Sequence, residues 1–214
     1  RKGKDSVKKV RRAVRKIQKM VETKTFITWN QQLGVGTSPT VFNALQPTKA
    51  ETSPGESSML GTDYHVVGVK IRSIFTKTTT SGQTSQLRFI GIWIKGTAAQ
   101  TTGFLDYYQN TTADSVTMPN IFSQLRSQLT NTVKVLWDIP VSMGVKRNTT
   151  SSAYSSGTQT KVVNLYKPIN MKTEFGRANS GDGYTNGRLV MFVMDQFAAE
   201  TDFRCMAKLY YKDP

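Results

Sequence analysis

Phe203-Arg204-Cys205-Met206-Ala207-Lys208-Leu209-Tyr210-Tyr211 decides the fold class. Phe203, Cys205, Ala207, Leu209 and Tyr211 alternate with polar or mixed neighbours. A period of two is the period of a strand with one face in a core. The same pattern recurs upstream. Thr25–Trp29 reads as a first strand. Val66–Lys77 places Val67, Val69, Ile71 and Ser73 on one face. Leu87–Lys95 puts Leu87, Phe89, Gly91, Trp93 and Lys95 on one side, with Ile90, Ile92 and Ile94 between them. Thr132–Met143 carries Val133, Val135, Trp137 and Ile139 in period two, and Thr158–Met171 is a long amphipathic run. Leu189–Met194 is apolar without a break, as expected of a strand covered on both faces. These are seven strands, each rich in β-branched and aromatic residues.

The segments between them are long. Residues 31–61 hold Pro39, Pro47 and Pro54. Residues 97–131 carry helical spacing at Ile121, Phe122, Leu125 and Leu129, so a short helix is expected over 119–129. Residues 144–157 and 175–187 are rich in Gly, Ser, Thr and Asn. Long loops on strong strands read as functional decoration of a rigid sandwich. An up-and-down barrel favours short hairpins, and an immunoglobulin sandwich is shorter. The expected fold is therefore all-β: an eight-stranded antiparallel jelly-roll sandwich with long loops. Its eighth strand is sought within Val41–Leu45 or near Tyr184.

The chain has 214 residues, of which 37% are hydrophobic. That is enough for one large β domain with a sizeable core. It has one cysteine, Cys205, and one histidine, His65. An intrachain disulfide, a zinc finger and a two-histidine metal site are thereby excluded. There is no Walker loop, Rossmann fingerprint, nucleophile elbow or His-Glu-x-x-His motif. Asp138, within a strand after Trp137, reads as a structural pairing residue, and Asp182 as a turn residue in a Gly-rich loop. His65 reads as an ordinary packed or hydrogen-bonded side chain and Cys205 as a small buried apolar one. Trp29, Trp93 and Trp137 are expected in the core, Tyr107 and Tyr108 in an exposed loop. No catalytic residue, metal site or cofactor is expected. No run is long and apolar enough for a transmembrane helix, and the first apolar stretch is too short and charged for a signal peptide.

The net charge of +15 is unevenly placed. Residues 1–24 contain Arg1, Lys2, Lys4, Lys8, Lys9, Arg11, Arg12, Arg15, Lys16, Lys19 and Lys24 against Asp5 and Glu22, a net of +9. Residues 25–214 carry the remaining +6. The chain divides accordingly into an arm, 1–24, and a sandwich domain, 25–214. Like charges at such density repel unless a polyanion meets them, so the eleven cations are the candidate nucleic-acid-binding residues. Val7, Val10, Val14, Ile17 and Val21 recur every three and four residues, the apolar stripe of an amphipathic helix. β-branched residues at both heptad core positions favour association of three or more helices. This basic helix is expected to precede the sandwich. A membrane-surface helix would carry Trp, Phe or Leu on its apolar face, and this stripe has none. In the body, Lys70, Arg72, Lys77, Arg88 and Lys95 are candidates for a further basic surface.

A basic arm followed by one jelly roll resembles the capsid proteins of small icosahedral viruses. Lys134-Val-Leu-Trp-Asp138, Asn186-Gly-Arg-Leu-Val-Met-Phe-Val193 and Arg204-Cys-Met-Ala-Lys-Leu-Tyr-Tyr-Lys-Asp213 resemble strands of the capsid proteins of circular single-stranded DNA viruses, the circovirus-like group. The Lys-rich patterned arm is closer to the coat proteins of plant satellite viruses. The resemblance implies a coat protein that self-assembles and packages viral single-stranded nucleic acid, DNA favoured over RNA. About sixty copies would close the smallest icosahedral shell. Their arms would supply on the order of 500 positive charges, suited to about one to two thousand nucleotides. It further implies residence in the virion, a nuclear-localisation role for the arm if the genome is DNA, and a host receptor on which the sequence is silent. The alternative is a cellular single-stranded nucleic-acid-binding β-barrel protein, which would carry an aromatic platform on its body. A sugar-binding jelly roll would need clustered carboxylates or aromatics in one cleft.

Overall fold

The computed structural model describes residues 10, 23–42, 48–49, 58–59, 63–78, 84–96, 103–109, 123–144, 158–175, 184–196 and 201–212. Eight strands carry the fold: β1 Thr23–Val35, β2 Thr40–Phe42, β3 Asp63–Thr78, β4 Ser85–Ile94, β5 Val133–Met143, β6 Thr158–Phe175, β7 Arg188–Asp195 and β8 Thr201–Lys212. They pair antiparallel, first with last (β1·β8), second with seventh (β2·β7), third with sixth (β3·β6) and fourth with fifth (β4·β5). That is one long hairpin. It is rolled so that β8 also pairs with β3, and β7 with β4. Two sheets result, β1-β8-β3-β6 extended by Tyr184–Asn186, and β2-β7-β4-β5. This winding is that of a jelly roll. The eighth strand is Thr40–Phe42; the stretch at Tyr184 adds a short fifth member to the larger sheet.

The core lies between the sheets. Val69, Ile71 and Phe75 of β3 and Phe203, Ala207 and Leu209 of β8 meet Phe89 and Trp93 of β4, Trp137 of β5 and Met191 and Val193 of β7. The Trp137 indole lies against Gly91, where a Cβ would fall 2.2 Å from the ring, so the glycine makes room for the tryptophan. At one end of the sandwich the core is closed by a polar chain. Buried Lys77 donates to Ser85 Oγ at 2.8 Å, and the Thr201 hydroxyl donates to Asp195 Oδ2 at 3.1 Å and lies 3.3 Å from Ser85 Oγ. Buried polar groups need such partners, because each unsatisfied one costs about 1–3 kcal/mol.

The four-stranded sheet is covered on both faces. On its outer side Ile90, Ile92, Ile94, Val190, Phe192 and Met194 form a second core with Phe104, Tyr107 and Tyr108. The Phe104 and Tyr108 rings stack at 4.7 Å, and Phe104 meets Phe192 edge-on at 5.3 Å. The covering segment is held by Arg88. Its guanidinium forks onto Asp138, Nε to Oδ1 at 2.8 Å and Nη2 to Oδ2 at 2.5 Å. Its Nη1 donates to the Ser123 carbonyl at 2.6 Å, and the Tyr108 ring lies beneath it at 5.5 Å. Burial of the Arg88 guanidinium works against its charge, but the hydrogen bonds and charge of Asp138 outweigh it and hold Arg88 protonated.

Several expectations are corrected. Tyr107 and Tyr108 are buried rather than exposed. In place of a helix over 119–129, the described part (123–129) holds a strand pair, Gln124–Leu125 with Tyr108–Gln109, and a 3-10 turn, Ser127–Leu129. The extra residue of β3 at Val67 shifts the inward face to Val66 and Val69. The sequence stripe at Val67 is out of phase for that reason. Of residues 1–22 only Val10 is described, and it is exposed. The remaining arm cations except Lys24, the other four stripe residues and Asp182 lie outside the described residues. Lys24 lies in β1, paired with Tyr211.

Candidate nucleic-acid interface

The outer face of the larger sheet has no such cover among the described residues. β1 forms one of its edges and starts at Thr23, so the last two residues of the arm, Thr23 and Lys24, belong to it. Along β1 the inward side carries Phe26, Thr28, Asn30 and Gln32, while Ile27, Trp29, Gln31 and Leu33 face outward. Trp29 is 74% exposed, Leu33 61% and Ile27 49%. This strand turns its larger apolar groups to solvent, the reverse of an ordinary surface strand. Trp29 therefore departs from the core placement expected of it; Trp93 and Trp137 are buried as expected.

Strand register aligns the outward residues into rows. Ile27 pairs with Lys208, Lys208 with Lys70 and Lys70 with Tyr166. Trp29 pairs with Met206, Met206 with Arg72 and Arg72 with Asn164. Gln31 pairs with Arg204, Arg204 with Ile74 and Ile74 with Val162. These three rows contain four cations and no carboxylate. Lys70, Arg72, Arg204 and Lys208 form no ion pair among the described residues. Lys70 and Lys208 stand directly opposite each other, an arrangement that destabilises a sheet through like-charge repulsion. The Lys208 ammonium sits 5.5 Å from the centre of the Tyr210 ring. Tyr210 and Tyr166 meet edge-on at 6.1 Å over Gly68, where a Cβ would fall 2.7 Å from Tyr166 Oη.

Carboxylates occur at the margins. Asp202, paired with Thr76 where the register of β1 shifts, accepts the Gly34 N–H at 2.9 Å. Asp63 and Glu174 both bind the Lys172 ammonium, at 2.6 and 3.0 Å, and these hydrogen bonds, that to Asp63 first, raise the Lys172 pKa. His65 lies in register between Lys172 and Lys212. Partial burial, then the Lys212 charge, lowers its pKa below the usual 6.5, so the imidazole is neutral at pH 7.

The five body cations named from the sequence are thus separated. Lys70 and Arg72 stand on this open face. Lys77 is buried in the polar chain, Arg88 is engaged with Asp138, and Lys95 is exposed at the end of β4. Sequence reading missed Arg204 and Lys208, and it missed Trp29 and Tyr166 as surface groups. The signal available was the balance of β1, where Ile27, Trp29 and Leu33 outweigh Phe26 on the opposite side. Cys205 is buried as expected, its thiol pushed up to about 11 by burial. No group of His, Cys, Asp and Glu among the described residues is arranged to hold a metal ion. No helix among them is long and apolar enough to cross a membrane.

No family model and no curated protein matches the chain. Among solved structures it is similar to the crystal structure of the 60-mer BFDV capsid protein. The identity is 11% and the TM-score 0.30, over 91% of this chain and 96% of that one.

Proposed function

We propose that the chain is the coat protein of a small virus. Copies of the jelly roll close into a shell, and the arm together with the open face of the larger sheet meets the enclosed nucleic acid. The observation that carries this reading is the asymmetry of the sandwich. One sheet is sealed under its own aromatic layer. The other presents four cations without carboxylates in three rows and is continuous through β1 with a segment of net charge +9. A subunit with an open cationic side and a capped side is suited to a closed container for a polyanion. The three stretches that resemble circovirus-like capsid strands fall on β5, β7 and β8, the structural frame of the roll.

In this reading the cations neutralise phosphates by counterion release and read no sequence. The chain performs no catalysis and needs no cofactor. Single-stranded DNA is the favoured cargo, the virion the place of the assembled protein, and the arm a nuclear-localisation segment before assembly. The cellular single-stranded nucleic-acid-binding protein remains the second reading, favoured by one observation: the exposed Trp29 and Tyr166 are an aromatic platform on the body. Nuclease treatment of the purified full chain distinguishes the two. A coat protein retains nucleic acid that resists digestion until the particle is opened. A cellular binder yields its nucleic acid to nuclease at once.

A further inference from the structure

We propose that the outer face of the larger sheet is a nucleic-acid site in its own right, separate from the arm, that takes a single strand with bases stacked on Trp29 and Tyr166. The proposal deepens the coat-protein reading and rests on it for the identity of the polyanion.

The occupant has to satisfy two kinds of group. The central strands β8 and β3 present Lys208, Lys70, Arg72 and Arg204, with Lys208 and Lys70 opposite each other and no carboxylate in their rows. A polyanion relieves that repulsion; no described carboxylate is paired with either lysine. The flanking strands present flat aromatic groups, Trp29 on β1 and Tyr166 on β6, 74% and 54% exposed. They stand three strand spacings apart across the sheet and two residues apart along it, about 16 Å, and the cationic track runs between them. From Ile27 to Gln31 the three rows extend about 13 Å along the strands. An acidic peptide would answer the cations and leave the rings without flat partners. A duplex would answer the cations too, but its bases are already stacked on one another. A single strand supplies phosphates for the track and unpaired bases for the rings. Stacking of this kind is tolerant of sequence, because every base has a π-face. It therefore suits a protein that holds a whole genome.

The experiment uses the full chain, freed of nucleic acid and mixed with a labelled dT oligonucleotide before assembly. Ultraviolet cross-linking followed by peptide mapping locates the bases. Adducts are expected at Trp29 and Tyr166, and an equal-length duplex is expected to give none at either ring. Affinity is read in parallel. Trp29→Ala weakens oligonucleotide binding about 5- to 150-fold, whereas Trp29→Phe, which keeps a stacking face, stays close to the parent. Trp29 is the exposed one of the three tryptophans, so its fluorescence adds a direct reading: the oligonucleotide quenches it and polyglutamate does not. Adducts confined to residues 1–24, equal quenching by polyglutamate or duplex, or a Trp29→Ala variant of unchanged affinity would overturn the proposal. Particle formation is measured separately on the same preparation. Particles without ring adducts remove this site and leave the coat protein; ring adducts without particles do the reverse.

Discussion

Phe203→Ala is expected to lower the unfolding free energy by about 3–5 kcal/mol, the range for a buried phenylalanine truncated to alanine. Phe203 is fully buried, and its ring lies 5.2 Å from Phe42, 5.1 Å from Phe75 and 5.4 Å from Phe89. Those partners belong to β2, β3 and β4, so a single side chain on β8 joins four strands and both sheets. Removing it leaves a cavity walled by three rings that are themselves fixed in opposite sheets, and such walls collapse poorly. For a domain of this size the melting temperature should drop by about 6–20 °C. Arg204→Ala, one residue on and facing solvent, should stay within about 0.5 kcal/mol of the parent. Thermal unfolding of the unassembled protein at one fixed concentration checks both. A Phe203→Ala protein as stable as the parent would mean that the aromatic cluster does not join the sheets.

Deleting residues 1–22 is expected to change the salt dependence of nucleic-acid binding more than any single substitution. The deletion removes ten bases and two acids. If each base meets a phosphate, the slope of log affinity against log salt becomes shallower by about 7 for a single strand. The intact chain should lose about 10³- to 10⁵-fold in affinity between about 50 and 200 mM salt. The truncated chain, left with the cations of the body, should lose far less. Fluorescence anisotropy of a labelled oligonucleotide across a salt series reads both slopes. Oligonucleotides of different sequence should behave alike, because phosphate contacts carry no sequence information. Equal slopes with and without the arm would show that the arm cations do not meet the polyanion.

The parts of the fold that could be read from the residues are those where one physical demand acts alone. The run Leu189–Met194 is apolar throughout because β7 is covered on both faces. The alternation in Phe203–Tyr211 is clean because β8 lies between two strands with one face in the core. Asp138 read as a pairing residue and holds Arg88. Where two demands compete, the pattern misleads. β1 pairs along its whole length with β8, yet its outward side carries Trp29 and Leu33. Alternation cannot say which side is in, and the larger residues pointed the wrong way. Tyr107 and Tyr108 lie between strands in sequence, and nothing nearby marks them as the lid of a second core. The helical spacing at Leu125 and Leu129 yields to pairing with Tyr108–Gln109, a contact made across a long stretch of chain. The basic face depends on the same kind of information. Lys70 and Arg72 were visible, but Lys208 and Arg204 lie more than 130 residues away and join them only through the pairing of β8 with β3. Charge in the arm was legible at once because it is local.

A closed shell is the proposed assembly of this chain, and the mass of the purified protein in solution tests it most directly. Sixty copies of a 23.9 kDa chain amount to about 1.4 MDa before any nucleic acid is counted. Mass photometry at low salt should find one dominant species at or above that mass, and high salt should release subunits or small oligomers as phosphate contacts weaken. Monomers or small discrete oligomers at every salt concentration, with nucleic acid present, would contradict it.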